Sequence, residues 1–107
     1  MPAKYAVEIA QAAERDLQEI WAFIALDDPA AAERFIARLE RMIGTLEAFP
    51  ERCPSIPENK WLGTWYQHLR LGRYRIIFRI AGHTVLVLRV VHGARQLDSS
   101  WFDEVTP

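Results

Sequence analysis

The sequence predicts an α+β fold in which an N-terminal helical hairpin packs on one face of a twisted antiparallel sheet. Two observations predict it: apolar residues recur at helical spacing in the first half of the chain, and strand-forming residues dominate the second half. The chain has 107 residues, of which 50% are hydrophobic and 25% are charged, and these values are ordinary for one globular domain. We therefore expect one domain over residues 1–107, with the element order β-α-α-β-β-β.

The first half of the chain contains the predicted N-terminal strand and both helices. Residues 4–9 alternate between apolar and polar side chains, which is typical of a short half-buried strand. Apolar residues at helical spacing then predict helices from Gln11 to about Leu26 and from about Pro29 to Ala48. Asp28 is a suitable N-cap for the second helix, because its carboxylate can accept a hydrogen bond from an N–H of the first turn. Pro29 is suitable at the first helical position, because the N–H that proline lacks would have no partner within the helix. The short connection between the helices predicts an antiparallel hairpin.

The second half of the chain contains the predicted sheet. It is rich in β-branched and aromatic residues, and Gly72 and Gly82 mark two turns. Successive side chains of a strand point to opposite faces, so one face of this sheet should be apolar and covered by the helices. The three predicted antiparallel strands are Trp65 to Leu71, Arg73 to Ile80, and Thr84 to His92.

The same region carries a strong positive charge. Residues 60–95 contain seven Lys or Arg residues and no Asp or Glu, although the whole chain has a net charge of −1. We expect an exposed cationic surface on the sheet face that points away from the helices, with aromatic and imidazole groups among the arginines. An alternative is that these arginines are solvated or pair with the acidic helices. The residues expected to bind a target or nucleic acid on this surface are Arg70, Arg73, Arg75, Arg79, His92 and Arg95.

Several classes of protein are disfavoured by the composition. The single cysteine, Cys53, excludes an internal disulfide and gives no metal-ligand spacing, and we expect its thiol to be inert. No apolar run reaches the length of about 18 residues that a membrane span needs. The first ten residues lack the apolar core of a secretory signal. We expect a cytoplasmic protein without a metal or another cofactor.

Other aromatic residues give two further expectations. Trp21 and Phe23 lie off the main apolar stripe of the first helix, and we expect them to contact the second helix. Residues 49–63 contain three prolines and show no periodic spacing of apolar residues, which predicts a crossing loop on the surface. Near the C-terminus, Trp101 or Phe102 should pack back against the domain.

An ordered set of short segments matches a known family. The segments are Tyr5-Ala6-Val7, then Ala13 with Asp16-Leu17-Gln18-Glu19-Ile20, Asp28-Pro29-Ala30-Ala31-Ala32, Leu46-Glu47-Ala48-Phe49-Pro50, Tyr74-Arg75-Ile76-Ile77-Phe78, and Val90-Val91-His92-Gly93-Ala94-Arg95. Over nearly its full length the chain resembles the RelE/ParE superfamily of bacterial type II toxin–antitoxin toxins, and it is more similar to the ParE-like branch.

The resemblance implies a toxin that a cognate antitoxin holds inactive in a hetero-oligomer. ParE-like members have the longer helical hairpin predicted here, and those characterised act on DNA gyrase. RelE-like members cleave mRNA in the ribosomal A site, using lysines before the Tyr-Arg motif, arginines in the sheet and a tyrosine near the C-terminus. Arg75 and Arg95 match the arginine positions. The preceding strand instead offers Tyr66, His68 and Arg70, and Trp101 lies near the position of the tyrosine.

Three functions are consistent with these residues and with the resemblance. The first is a ParE-like toxin that inhibits gyrase without being an enzyme, with roles in plasmid stabilization and growth inhibition. The second is a ribosome-dependent endoribonuclease, in which Arg75 and Arg95 stabilise the charged phosphorane and His68 transfers a proton. The third is a protein with the toxin fold that has lost toxicity and only binds a partner or nucleic acid. An acidic antitoxin segment is also expected to bind the cationic face.

Overall fold

Two long helices and a four-stranded sheet form the domain, and the computed structural model describes residues 4–95 and 97–103. The predicted α+β class is confirmed, and the predicted elements occur in the predicted order, with one short helix in addition. The elements are β1 (Ala6–Ile9), α1 (Gln11–Ala25), α2 (Pro29–Gly44), α3 (Asn59–Leu62), β2 (Gln67–Leu71), β3 (Tyr74–Ala81) and β4 (Thr84–His92).

The sheet has the strand order β1-β4-β3-β2. Strands β2, β3 and β4 are antiparallel, as predicted. Strand β1 runs parallel to β4, so the sheet is mixed and the expectation of a wholly antiparallel sheet is wrong for this strand. The alternation of residues 4–9 indicates which side chains are buried, but it carries no information about the direction of the neighbouring strand.

Helix α2 begins where the sequence indicates. The Asp28 carboxylate accepts a hydrogen bond from the N–H of Ala31 at 3.1 Å, and Pro29 occupies the first helical position. The α-helix ends at Gly44, and a single 3-10 turn then continues the chain to Glu47. The predicted end at Ala48 therefore includes this tighter last turn.

The helices cover the inner face of the sheet, as predicted. The largest fully buried side chain on this face is Phe78 of β3, which belongs to the same core cluster as Leu39 of α2. Leu17 and Ile20 of α1 complete the contact from the first helix. Phe23 does not contribute, because its side chain is 73% exposed, and the expectation that it contacts α2 is wrong. None of the described helices is long and apolar enough to cross a membrane.

The outer face of the sheet is also covered, by a second and smaller core. Its buried members come from the sheet, from the segment between α2 and β2, and from the C-terminal turn, and they are Ile56, Tyr66, Ile77, Leu88, Val91, Leu97 and Phe102. The expectation of an exposed cationic outer face is therefore wrong. Alternation places apolar residues such as Ile77 and Leu88 on that face, and they require a cover that residues 56–66 and 97–102 supply. The prediction that Phe102 packs back against the domain is confirmed.

Candidate functional site

Strand pairing brings three separate chain segments together at one end of the sheet. The register places Arg70 of β2 opposite Arg75 of β3, and Tyr74 opposite His92 of β4. The N–H of Gly93 donates to the Arg73 carbonyl at 2.6 Å, which joins the β2–β3 turn to the chain leaving β4. This end of the sheet thus collects polar side chains that are distant in sequence.

The exposed arginines at this end define what we call the cationic end: Arg70, Arg73 and Arg95. A methyl group on Gly93 would lie 2.9 Å from Nη2 of Arg70 and 3.2 Å from the Arg73 carbonyl oxygen. The absence of a side chain at Gly93 therefore allows these groups to approach closely. Within residues 4–95 and 97–103, no carboxylate forms an ion pair with any of the three guanidinium groups. They are available for an anionic ligand.

Trp101 helps to fix the position of Arg95. The Arg95 guanidinium lies 4.4 Å from the centre of the Trp101 ring, and the Arg89 guanidinium lies 5.1 Å from it. Contacts of this kind are attractive because the face of an indole carries negative partial charge. Arg89 is in turn bound to Asp16 through two hydrogen bonds of 2.7 and 2.8 Å. The half-buried indole thus provides a platform on which Arg95 rests while remaining exposed.

Arg75 is buried, contrary to the expectation that it lies on an exposed surface. It is only 3% exposed, and its two terminal nitrogens donate to the two carboxylate oxygens of Glu58 at 2.9 and 2.7 Å. These bonds stabilise the charged carboxylate and lower the pKa of Glu58. Arg75 also donates to the Arg95 carbonyl at 3.2 Å. It therefore joins the segment covering the outer face to the turn that carries Arg95.

His68 is buried as well, at 7% exposure, and lies opposite Ile77 on the outer face. Burial lowers the pKa of His68, and the nearby charges of Arg75 and Arg70 lower it further. Its Nδ1 has no hydrogen-bond partner in the described part of the chain. The imidazole is thus enclosed, and its surroundings favour the neutral form, so the expectation of an exposed histidine at this position is wrong.

The remaining predicted residues occupy two other places. His92 is half-buried beside the cationic end, with its ring edge-on to Tyr74 at 5.6 Å, and it lines a cleft of about 330 Å³ together with Phe23 and Arg95. Arg79 lies six positions beyond Arg73 and so about 20 Å further along β3. The six predicted binding residues therefore do not share one surface.

Two carboxylates that organise this region were missed by the sequence analysis. Asp16 accepts from Arg89 and from the N–H of Val90 at 2.9 Å, and so binds α1 to the edge of β4. The sequence does contain an indication of the role of Asp16, because this charged residue stands directly before Leu17 on the buried side of α1. Glu58 gave no comparable signal, since the segment around it has no period.

The thiol of Cys53 does not belong to this region of the sheet. Its side chain is buried in the inner core, and burial raises its pKa. A raised pKa leaves little nucleophilic thiolate at neutral pH, as expected for an inert cysteine. Within the described residues, no three His, Cys, Asp or Glu side chains are grouped so as to hold a metal ion.

Comparisons with known proteins agree with this fold. A family model described as the ParE toxin of the type II toxin–antitoxin system parDE matches residues 7–97. A solved structure described as a chromosomal ParDE toxin–antitoxin system from P. aeruginosa is similar with a TM-score of 0.69 and 17% identity, over 83% of this chain and 96% of that one. The RelBE2 toxin–antitoxin complex from Mycobacterium tuberculosis gives a TM-score of 0.61 and 28% identity, over 84% and 99%. No curated protein gives a significant match.

Proposed function

Because this chain belongs to the ParE toxin family of type II toxin–antitoxin systems, we propose that it inhibits DNA gyrase and that a cognate antitoxin neutralises it. Family membership supports the class of protein. Gyrase as the target rests on the similarity to the ParE-like branch. The proposed activity takes place in the cytoplasm and restricts growth without any chemical step catalysed by the toxin.

The cationic end is the observation that carries the proposal for a contact surface. Arg70 and Arg73 of the β2–β3 hairpin and Arg95 after β4 present three exposed guanidinium groups that the sheet holds together. A guanidinium donates in a planar fork that matches carboxylate and phosphate oxygens. A gyrase–DNA complex offers both kinds of anion. The contact of Arg95 with Trp101 and the bond from Arg75 to its carbonyl limit the freedom that Arg95 loses on binding.

We propose that the antitoxin uses the same surface. Both structural neighbours are described as toxin–antitoxin systems or complexes, which supports an antitoxin partner for this chain. An acidic antitoxin segment laid on the cationic end would occupy the groups that the target needs. Neutralisation is then competition for the same arginines within a hetero-oligomer.

The endoribonuclease alternative ranks second. Its proposed chemistry needs His68 to transfer a proton and Arg75 to contact a phosphate. These side chains are 7% and 3% exposed, and Arg75 is occupied by Glu58. The burial of both side chains is better explained by a role in stabilising the fold, and this supports the non-enzymatic function.

Controlled expression in a bacterial host tests the proposal. We expect induction of the wild-type chain to activate the DNA-damage response and cause filamentation while translation continues. Simultaneous replacement of Arg70, Arg73 and Arg95 by Gln should remove the growth defect. The matched control replaces three exposed arginines of α2, Arg34, Arg38 and Arg41, by Gln and should remain toxic.

The opposite pattern contradicts the proposal. Immediate arrest of translation with cuts mapped to codons would support the endoribonuclease instead. A growth defect that the cationic-end variant retains in full would show that the target binds elsewhere. No growth defect from the wild-type chain would support a protein that has lost toxicity.

A further inference from the structure

A solvent-exposed tryptophan stands at the end of the sheet opposite the cationic end. Trp65 lies just before β2, and its side chain is 88% exposed. Trp is among the residue types most enriched where proteins bind each other tightly. Its exposure in the free chain therefore raises the question of what covers it.

The backbone around Trp65 is fixed rather than loose. The Oδ1 atom of Asn59 accepts from the Thr64 hydroxyl at 2.6 Å and from the N–H of Tyr66 at 3.1 Å, and its Nδ2 donates to the Tyr66 carbonyl at 2.9 Å. Tyr66 is buried, with its ring 4.9 Å from that of Phe102. Trp65 is thus presented outward by neighbours that are anchored in the outer core, which lowers the entropy lost when a partner binds it.

A pocket with one cation opens beside this tryptophan. It has a volume of about 320 Å³, and its walls include Trp65, Tyr66, Arg79 and Ile80. The Nε of Arg79 is buried and has no hydrogen-bond partner within the described chain, and no described carboxylate pairs with its guanidinium. A buried donor without a partner costs free energy unless something satisfies it. No described acidic side chain therefore balances the positive charge of Arg79 at this pocket.

We propose that Trp65 and Arg79 form a second binding site, separate from the cationic end, for an acidic segment of a partner protein. A carboxylate of the partner accepts hydrogen bonds from Arg79, and an adjacent apolar side chain packs on Trp65. Charge complementarity supports an acidic occupant, because the residues that line the pocket include Arg79 and no Asp or Glu.

The shape of the site favours protein over single-stranded nucleic acid. Proteins bind single strands with a groove of several cations and a series of aromatic platforms, one for each base. Here one indole and one guanidinium share a small pocket. Such a pocket fits one acidic side chain and its apolar neighbour.

An NMR titration of the full chain tests the proposal. The probe is the peptide Ac-Gly-Glu-Leu-Phe-Glu-Gly-NH2, and the control peptide carries Lys in place of both Glu residues. We expect the acidic peptide to shift the Trp65 indole N–H and the Arg79 Nε–H signals, and the basic peptide to leave them unchanged. Trp65→Ala and Arg79→Gln should each weaken binding at least about fivefold. Trp21→Ala, which removes another exposed indole on α1, should bind like the wild type.

Three results would overturn the proposal. One is the absence of shifts at Trp65 and Arg79 at millimolar acidic peptide. Another is an equal response to both peptides. The third is a response to single-stranded oligothymidylate in the absence of any response to the acidic peptide. Because Trp65 is exposed, its replacement should leave the thermal unfolding midpoint unchanged, so a lost signal reports lost binding.

Discussion

The buried ion pair between Glu58 and Arg75 should decide whether the outer core forms. The two side chains are 6% and 3% exposed, and two short hydrogen bonds connect them. Replacing Arg75 by Met removes both bonds and the bond to the Arg95 carbonyl, and it leaves the Glu58 charge buried without a partner. The expected loss follows from this unpaired charge rather than from the ion pair itself.

The magnitude can be estimated from the number and kind of bonds removed. Hydrogen bonds to charged groups contribute about 1.5–3 kcal/mol each. Removing one partner of a buried pair typically costs about 3–5 kcal/mol. We therefore expect Arg75→Met to lower the free energy of unfolding by about 3–5 kcal/mol, a large part of the roughly 5–15 kcal/mol that a domain has in total.

Urea denaturation followed by circular dichroism measures this loss. The double variant Glu58→Leu with Arg75→Met should recover stability to within about 1 kcal/mol of the wild type, because replacing both charges by apolar groups leaves no unpaired charge. Arg73→Met is the matched control, since Arg73 is exposed, and it should change stability by no more than about 0.5 kcal/mol.

Two outcomes would refute this reasoning. If Arg75→Met costs less than about 1 kcal/mol, the buried pair does not hold residues 56–66 on the outer face of the sheet. If the double variant is as unstable as the single one, the stability depends on these two charges themselves. A double variant that is stable and still toxic would further show that the Arg75 guanidinium is not needed for toxicity.

Three more perturbations test other parts of the structure. The pKa of His68 is lowered below 6.5 in the folded chain, so near and below about pH 6.5 the unfolded chain binds more protons than the folded chain. The free energy of unfolding should therefore fall as the pH drops. In urea titrations at pH 7.5 and 5.5, His68→Gln should lose less of this free energy between the two pH values than the wild type does. Asp16→Asn should lower the free energy of unfolding, measured by urea denaturation, by about 2–4 kcal/mol, because it weakens the hydrogen bonds to Arg89 and Val90. A decrease below about 1 kcal/mol would show that Asp16 does not hold α1 on β4. Phe49 has a φ of 49°, a left-handed conformation that glycine adopts without strain, and it is 60% exposed. Phe49→Gly should therefore raise the thermal unfolding midpoint, with a gain in stability of up to about 1 kcal/mol, whereas Phe49→Ala should not raise it.

The inner half of the fold was predictable because it depends on regular spacing. Phe78 and its neighbours two positions away face the helices as alternation requires, and Asp28 caps α2 as its place before Pro29 indicates. Alternation fails only after Leu88, where the register with β3 shifts. This irregularity brings Val90 into the inner core and places Arg89 within reach of Asp16.

The candidate site was only partly predictable, because charge in a sequence does not indicate exposure. Arg70 and Arg75 share a cross-strand pair, yet one is exposed and the other is buried. The difference comes from Glu58, whose segment has no periodic pattern that would place it over the sheet. The sequence therefore located the positive charge correctly but not the cover that removes Arg75 and His68 from the surface.

The supercoiling activity of purified gyrase tests the proposed function most directly. The wild-type chain should inhibit supercoiling, and replacing the three arginines of the cationic end by Gln should abolish the inhibition, while the α2 control variant should inhibit like the wild type. Full supercoiling in the presence of excess folded wild-type protein would contradict the account.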